Sequence, residues 1–348
     1  MKRLVSILAV APLALALLGQ PSTAAPVDER VAPRQVLDVS DLPTGEPPAI
    51  AYAELTGRNR WKIHRPSGQT TFRGKLLELA PMGSGFVVQT STRTAYETRW
   101  IGADGASGAR TWRTGPGLAV SPKGGAVAFA GARGRVTVID SDADRVLRMP
   151  RVPGRGLNSA VVVSGEDCKE SATSNGCAVW VNSHRRSRSW VTSSHGLVDR
   201  TRFRQVSTGR GRWLGGITEA SDTGTCSAMV RGQRTRWTTC RNRFSDISTV
   251  NEHVLGLPAY GDGFGPTTLD VLDLRSGDRV RSWVADRKGR SATYFGEIWE
   301  DPEHVLVVTF QDDKWAIVRL GLDGSMEYAV VPRTAADEFS MPLLLAAG

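Results

Sequence analysis

After Leu18 the chain has no apolar run long enough to cross a bilayer, no stretch whose hydrophobic residues recur with helical period, and no histidine–cysteine group at metal-ligand spacing. These absences argue against membrane-spanning helices, helical bundles and zinc modules. The Gly-x-Ser-x-Gly elbow that exposes a hydrolase nucleophile is missing too, and Gly83-Ser84-Gly85 lacks its spacing. The five histidines, His64, His184, His195, His253 and His304, stand apart with no paired motif. His184 and His195 fall in expected loops and His64 in a strand, so all three read as surface or locally satisfied residues. No cofactor is expected. Lysine is scarce, seven residues against 37 arginines. Genomic base composition produces such a bias as readily as function does, so the formal charge of +9 alone says little about an anionic partner.

What is present starts with a targeting layout. Lys2 and Arg3 precede an apolar run from Leu4 to Leu18 and then Gln20-Pro21-Ser22-Thr23-Ala24-Ala25, the three-part pattern of a secretory signal. Cleavage is expected after Ala24, which sets Ser22 and Ala24 at the small-residue positions and keeps Pro26 away from the scissile bond. The apolar run is shorter than the roughly 20 residues of a span, and no cysteine at the junction offers a lipid anchor. Removing Lys2 and Arg3 lowers the charge from +9 to +7, since no acid precedes Asp28. The mature chain is expected to be secreted and monomeric, with no membrane span after cleavage. Four cysteines suit an oxidising compartment. Cys226 and Cys240 each lie seven residues from Gln233, the centre of an expected turn, which sets them opposite each other in a hairpin. Cys168 and Cys177 flank a polar loop. Three pairings exist in principle, and bridges between these sequence neighbours are expected; closing the loop of about 15 residues between Cys226 and Cys240 is worth ~3 kcal/mol in the chain-entropy model.

A repeat organises the rest. Short turns recur at Pro66-Ser67-Gly68-Gln69, Ala103-Asp104-Gly105, Ser141-Asp142-Ala143-Asp144, Ser193-Ser194-His195-Gly196, Arg231-Gly232-Gln233, Arg275-Ser276-Gly277-Asp278 and Leu322-Asp323-Gly324, spaced by 37, 38, 53, 37, 44 and 47 residues. That is close to the roughly 40 to 50 residues of a four-stranded propeller blade. Short apolar or alternating segments such as Gly85–Thr90, Ala126–Ala130, Val305–Phe310 and Trp315–Leu320 supply strands. With strands named a to d from the axis outward, the turns above join c to d, and Phe72, Trp112, Trp237, Trp283 and Tyr328 fall in strand d. The longest interval is explained by the Cys168–Cys177 loop, inserted between strands a and b of its blade. Residues 1–24 thus read as signal peptide, 25–48 as a Pro-rich leader, extended or mobile, and 49–348 as an all-β, seven-bladed propeller. The first blade lacks room for its own strand a, and the apolar segment from Phe339 to Leu345 is expected to supply it and close the ring. A six-bladed ring with one degenerate repeat is the alternative.

The signal layout, the leader with Asp41-Leu42-Pro43-Thr44-Gly45-Glu46-Pro47-Pro48, and Leu118-Ala119-Val120-Ser121-Pro122-Lys123-Gly124 running into Ala126-Val127-Ala128-Phe129 resemble secreted bacterial propellers of the TolB-like, WD-repeat-like group. The Ser-Pro-x-Gly element is matched well in one blade, and the Trp-Asp dipeptide that ends WD repeats is absent. The resemblance implies architecture and a binding role at the cell envelope; it transfers no catalytic residue.

In a meander the b–c and d–a loops share one end of the ring, and arginines crowd there. Arg60, Arg135, Arg155, Arg185, Arg186, Arg188, Arg204 and Arg243 are the candidate binding residues. Residues 184–243 hold thirteen arginines against Asp199, Glu219 and Asp222. Guanidinium forks match phosphate, carboxylate and sulfate oxygens, so an anionic envelope polymer or an acidic protein is the expected partner, against the bland reading of solvated loops. Nucleic acid is not expected, because the chain is exported and carries no nucleic-acid module. Ser276-Gly277-Asp278-Arg279-Val280-Arg281-Ser282-Trp283 resembles a sialidase-type Asp-box with its central glycine replaced, a motif that braces a turn. The ten tryptophans mainly fit packing between blades, with Trp61 and Trp315 left as the two to test for ligand contact. Non-catalytic binding is the expected function. The alternative is a polysaccharide-cleaving enzyme with acids in the axial funnel, for which Glu297, Glu300, Asp301 and Glu303 are candidates.

Overall fold

The structure, a computed structural model, describes residues 32–348 other than 93–94, 141–144, 155, 167, 169, 172–173, 262–264, 267, 285–291 and 336–339. Within strands and helices, the side chains of Ser107, Ala109, Glu170, Ser171, Ser174, Asn175 and Arg186 also fall outside the description. The signal segment, its cleavage site, the Ser141–Asp144 turn, Arg155 and Phe339 therefore lie outside it.

Seven antiparallel sheets follow one another around a ring. Blade 1 takes strands b to d from Tyr52–Gly57, Arg60–Arg65 and Gly68–Arg73, and blade 2 runs from Leu76 to Thr114. Blades 3 to 7 begin with inner strands at Ala119–Val120, Asn158–Ser164, Gln205–Arg210, Asn242–Ile247 and Thr293–Trp299. The second strands read almost continuously apolar, as in Ala126–Ala130 or Val305–Val308, because neighbouring blades cover both of their faces; these residues are at most 2 % exposed. The five outer-strand aromatics lie where expected, and Phe72, Trp283 and Tyr328 are buried. At the outer turn of blade 6, Gly277 adopts φ +81° while Asp273 accepts from the Arg275 and Ser276 amides at 2.8 and 2.7 Å. The Asp-box-like segment does brace a turn: Ser276 Oγ donates to Asp278 at 2.7 Å.

The ring closes as expected. Leu343–Leu345 is the innermost strand of blade 1, with Tyr52, Ala53 and Glu54 opposite Leu345, Leu344 and Leu343. The closing strand is shorter than the apolar segment that suggests it. Both expected disulfides are formed, Cys168–Cys177 within the insertion of blade 4 and Cys226–Cys240 across strands c and d of blade 5.

The described part of the leader is ordered along the outer edge of the ring. Arg34–Val36 adds a parallel fifth strand to blade 6 beside Ser282–Val284, and Leu37 and Val39 are buried between blades 6 and 7. Gly45 N then donates to Tyr328 O at 3.0 Å on the outer strand of blade 7. A Pro-rich stretch of no regular period reads as loose in sequence; here it is held by edge groups that the outer strands leave unpaired.

Closure predicts a measurable cost. Leu343 is fully buried among Leu306, Trp315 and Ile317 of blade 7, so Leu343→Ala is expected to destabilise the protein by about 3 kcal/mol in urea unfolding. A loss under ~1 kcal/mol would mean that the closing strand contributes little to holding the ring.

Candidate functional site

The inner strands enclose two adjoining axial cavities. One, of about 530 Å³, opens at the end formed by the a–b and c–d turns, between Pro66, Phe86, Pro122, Arg210 and Trp299. The other, of about 330 Å³, is lined by Glu78, Asp246, Phe295, Glu297 and Leu344. Glu78, Asp246 and Glu297 line the second cavity, and Asp246 and Glu300 border the first.

Each carboxyl has local partners. Glu78, on the inner strand of blade 2, accepts from Leu118 N at 2.7 Å where the chain enters blade 3. Asp246, on blade 6, accepts from Trp299 N at 3.1 Å on blade 7. Glu297 lies near the Ser245 hydroxyl and the Arg243 guanidinium. Burial pushes Glu297 up to about 7, against the pull of Ser245 and Arg243. Burial likewise pushes Asp246 up to about 6, opposed by the Trp299 amide and Arg210, and raises Glu78 against the amides of Leu118 and Gly117.

Of the four acids expected at the funnel, Glu297 lines the second cavity and Glu300 borders the first. Glu300 is engaged by Arg319, with Nη2 to Oε1 at 2.9 Å. Asp301 pairs with His304, Nδ1 to Oδ2 at 2.8 Å, and Glu303 is an exposed turn residue. Sequence reasoning missed Glu78 and Asp246, which stand singly in separate blades. Their one signal is an acid inside a strand that should face the axis.

Arg60, Arg135, Arg185, Arg188, Arg204 and Arg243 are all exposed. Arg185 belongs to a short 3₁₀ turn, His184–Arg186, between strands b and c of blade 4, and Arg188 opens strand c beyond Ser187 at φ 44°. Arg135 occupies the equivalent b–c loop of blade 3, and Arg60 opens strand c of blade 1, directly opposite Arg73 in the ladder. Arg204 lies on the connection into blade 5. These residues span blades 1, 3, 4 and 5 at one end of the ring. Arg243 departs from that group, because it stands on the inner strand of blade 6 beside Glu297. Two further arginines have partners of their own: Arg202, on the connection into blade 5, donates to Gln233 O at 2.6 Å on the outer turn of that blade, and Arg333, on the outer strand of blade 7, pairs with Glu54.

Solved structures share this architecture. The fold is that of a WD-repeat-like β-propeller. The β-propeller domain of Cps50 (Swd1) from Myceliophteria thermophila is similar at a TM-score of 0.51 and 10% identity, over 82% of this chain and 90% of that one. The C-terminal WD40 domain of Sif2 gives 0.48 and 10% over 88% and 91%, and Hsv2 of Kluyvelomyces marxianus 0.47 and 10% over 83% and 99%. At such identity the likeness concerns the fold alone. No family model and no curated protein matches the chain.

The remaining candidates resolve into structure. Trp61 is 5% exposed and donates to Gly74 O at 3.1 Å, and Trp315 is fully buried between Phe295 and Phe310, so neither is open to a ligand. His184, exposed as expected, shares a 2.6 Å hydrogen bond with Ser159. Among the described residues no carboxylate orients its ring, so the pair lacks the third group of a triad. Also among the described residues, no group of three or more His, Cys, Asp or Glu is placed to hold a metal ion, and no helix is long and apolar enough to cross a membrane.

The buried acids set a pH dependence. A carboxyl raised in the fold favours its neutral form there, so its stabilising effect is complete below the unfolded value and is lost as pH rises through the folded one. Glu297 moves from 4.5 to about 7, so Glu297→Gln is expected to be more stable than the parent at pH 8 by roughly 3 kcal/mol at most. Thermal melts from pH 4 to 8 check this: the parent loses stability across that window and the variant loses less. Identical profiles would show that Glu297 does not titrate against the fold.

Proposed function

We propose that this chain is an exported, non-catalytic binding propeller that docks an anionic polymer or protein partner of the cell envelope through the arginine-rich end formed by its b–c and d–a loops. The observation that carries this reading is the exposure of Arg60, Arg135, Arg185, Arg188 and Arg204 on the loops and strand starts of that end. Of the thirteen arginines that residues 184–243 set against three acids, Arg185, Arg188 and Arg204 belong to this end, and Arg60 against Arg73 is a like-charge ladder pair that an anion would relieve. Two disulfides are compatible with an oxidising compartment, and the N-terminal layout supports export. The protein acts as a monomer, without nucleic acid.

One observation favours a second reading, polysaccharide cleavage: Glu297 is held near 7 in a cavity that also holds Asp246 and Glu78. The amide bonds of Asp246 and Glu78 to the next blade point instead to braces.

Binding of fluorescent poly-glutamate and of a phosphate-rich glycopolymer tests the first reading. Affinity is expected to fall by roughly fortyfold or more between 50 and 200 mM salt, as for three or more charge contacts, and to be largely lost in the Arg185→Ala, Arg186→Ala, Arg188→Ala variant. Binding indifferent to salt and to these substitutions overturns it, and release of reducing sugar abolished by Glu297→Gln would establish the second.

A further inference from the structure

Blade 5 carries a second concentration of arginines, at the opposite end of the ring from the loops above. Arg212 lies on the turn between strands Gln205–Arg210 and Trp213–Ser221, Arg231 ends strand Gly224–Arg231, and Arg234 and Arg236 lie on Arg234–Thr239. These four side chains line a shallow cleft of about 440 Å³, and all are exposed.

The local structure assembles them. Arg231 and Arg234 are direct ladder partners flanking the two-residue turn Gly232-Gln233, a like-charge opposition that costs stability unless an anion neutralises it. One residue later the ladder slips: Val230 faces Thr235 and Met229 faces Trp237, leaving Arg236 as the extra residue of a bulge. Arg231 is held over the Trp213 ring at 5.4 Å, and the Arg212 carbonyl accepts from Gly232 N at 2.8 Å. Three of the guanidiniums are thus carried on a short hairpin end that is braced against the turn bearing the fourth, Arg212.

Arg212 and Gly232 also border a smaller pocket of about 180 Å³ between blades 4 and 5, lined by Val162, Trp180, Trp213 and Leu214. A cationic cleft that shares Arg212 with an apolar recess is complementary to a chain that carries carboxylates next to an apolar side chain. Inorganic phosphate and sulfated polysaccharides offer the anions without the apolar group. Blade 6 shows the outer strands of this ring accepting an extended segment, since Arg34–Val36 pairs with one of them.

We propose that the Arg212, Arg231, Arg234 and Arg236 cleft is a docking site for an extended acidic peptide segment, whose carboxylates meet the guanidiniums while an adjacent apolar side chain enters the recess at Trp180 and Leu214. This site is separate from the loop surface at the other end and stands whether or not that surface binds anything.

Fluorescence anisotropy of the whole mature protein with a labelled probe peptide, Asp-Glu-Glu-Leu-Glu-Asp, tests it. The probe is expected to bind at low salt, to lose at least tenfold in affinity in the Arg212→Ala, Arg234→Ala variant, and to be unchanged by the Arg185, Arg186, Arg188 triple substitution. Replacing its leucine by serine is expected to weaken it severalfold, and pyrophosphate and heparin to compete poorly. Arg234→Gln alone is expected to melt no lower than the parent, which separates loss of binding from loss of fold. The proposal is overturned if the probe fails to bind, if the double variant binds it equally, or if the serine probe or pyrophosphate performs as well as the leucine probe.

Discussion

The antiparallel pairing of Leu343–Leu345 with Tyr52–Glu54 is the contact on which the rest of the structure depends. It joins the two ends of a chain of blades, so that blade 7 packs on blade 1 as every other blade packs on its neighbour. Without it, blade 1 would be a three-stranded sheet with an inner edge open to water, and blade 7 would lose one covered face. The same contact sets the axial cavities, since Leu344 and Ala346 lie on their wall. A propeller core is divided into clusters between adjacent blades rather than gathered at one centre, so stability accrues interface by interface and closure adds the last interface.

Between those apolar interfaces runs a series of polar links from one blade to the backbone of the next. Gln89 of blade 2 donates to Gly115 O at 3.0 Å and accepts from Gly117 N at 3.1 Å, and Asn182 of blade 4 does the same with Val206 O and N at 2.8 and 2.9 Å. Glu166 accepts from Ser121 and from the Lys123 amide across blades 3 and 4. Glu78 and Asp246 are carboxylate versions of this device. An amide side chain performs it at no charge cost, whereas a buried carboxyl either ionises against a desolvation penalty or stays neutral, and the raised values of Asp246 and Glu297 reflect that penalty. Arg210 and Arg243 are the cations that make the ionised forms tolerable at the axis.

Much of the architecture was legible because its signals are local. The turns Arg231-Gly232-Gln233 and Arg275-Ser276-Gly277-Asp278 carry glycine at positive φ, and the spacing of Cys226 and Cys240 about Gln233 encodes the hairpin that joins them. Strand ends shifted by one or two residues, because ladder ends depend on neighbours. The order of residues 32–48 was not legible, since their partners are edge groups more than two hundred residues away. Nor was the convergence of Glu78, Asp246 and Glu297, which come from three blades. The exposure of Trp61 and Trp315 was misjudged for a related reason: a tryptophan directly after a loop resembles a rim residue until the neighbouring blade is in place to cover it.

The two arginine concentrations differ in what surrounds them. On the b–c loops, arginines occupy separate blades and keep their own hydration, which makes them inexpensive to hold and weakly specific in what they attract. In blade 5 they gather on two adjoining turns, where Arg231 opposes Arg234 and, among the described residues, no acid lines the cleft. Cys226 and Cys240 close the other end of that same strand pair. A like-charge pair across a ladder costs on the order of 0.2–1 kcal/mol, whereas a disulfide closing a loop of this size contributes about 3 kcal/mol. The covalent link therefore outweighs the repulsion and lets the hairpin keep the Arg231, Arg234 and Arg236 guanidiniums together beside Arg212. An anion that enters the cleft removes the repulsion as well as forming its own bonds, so binding there and stability of blade 5 are thermodynamically linked.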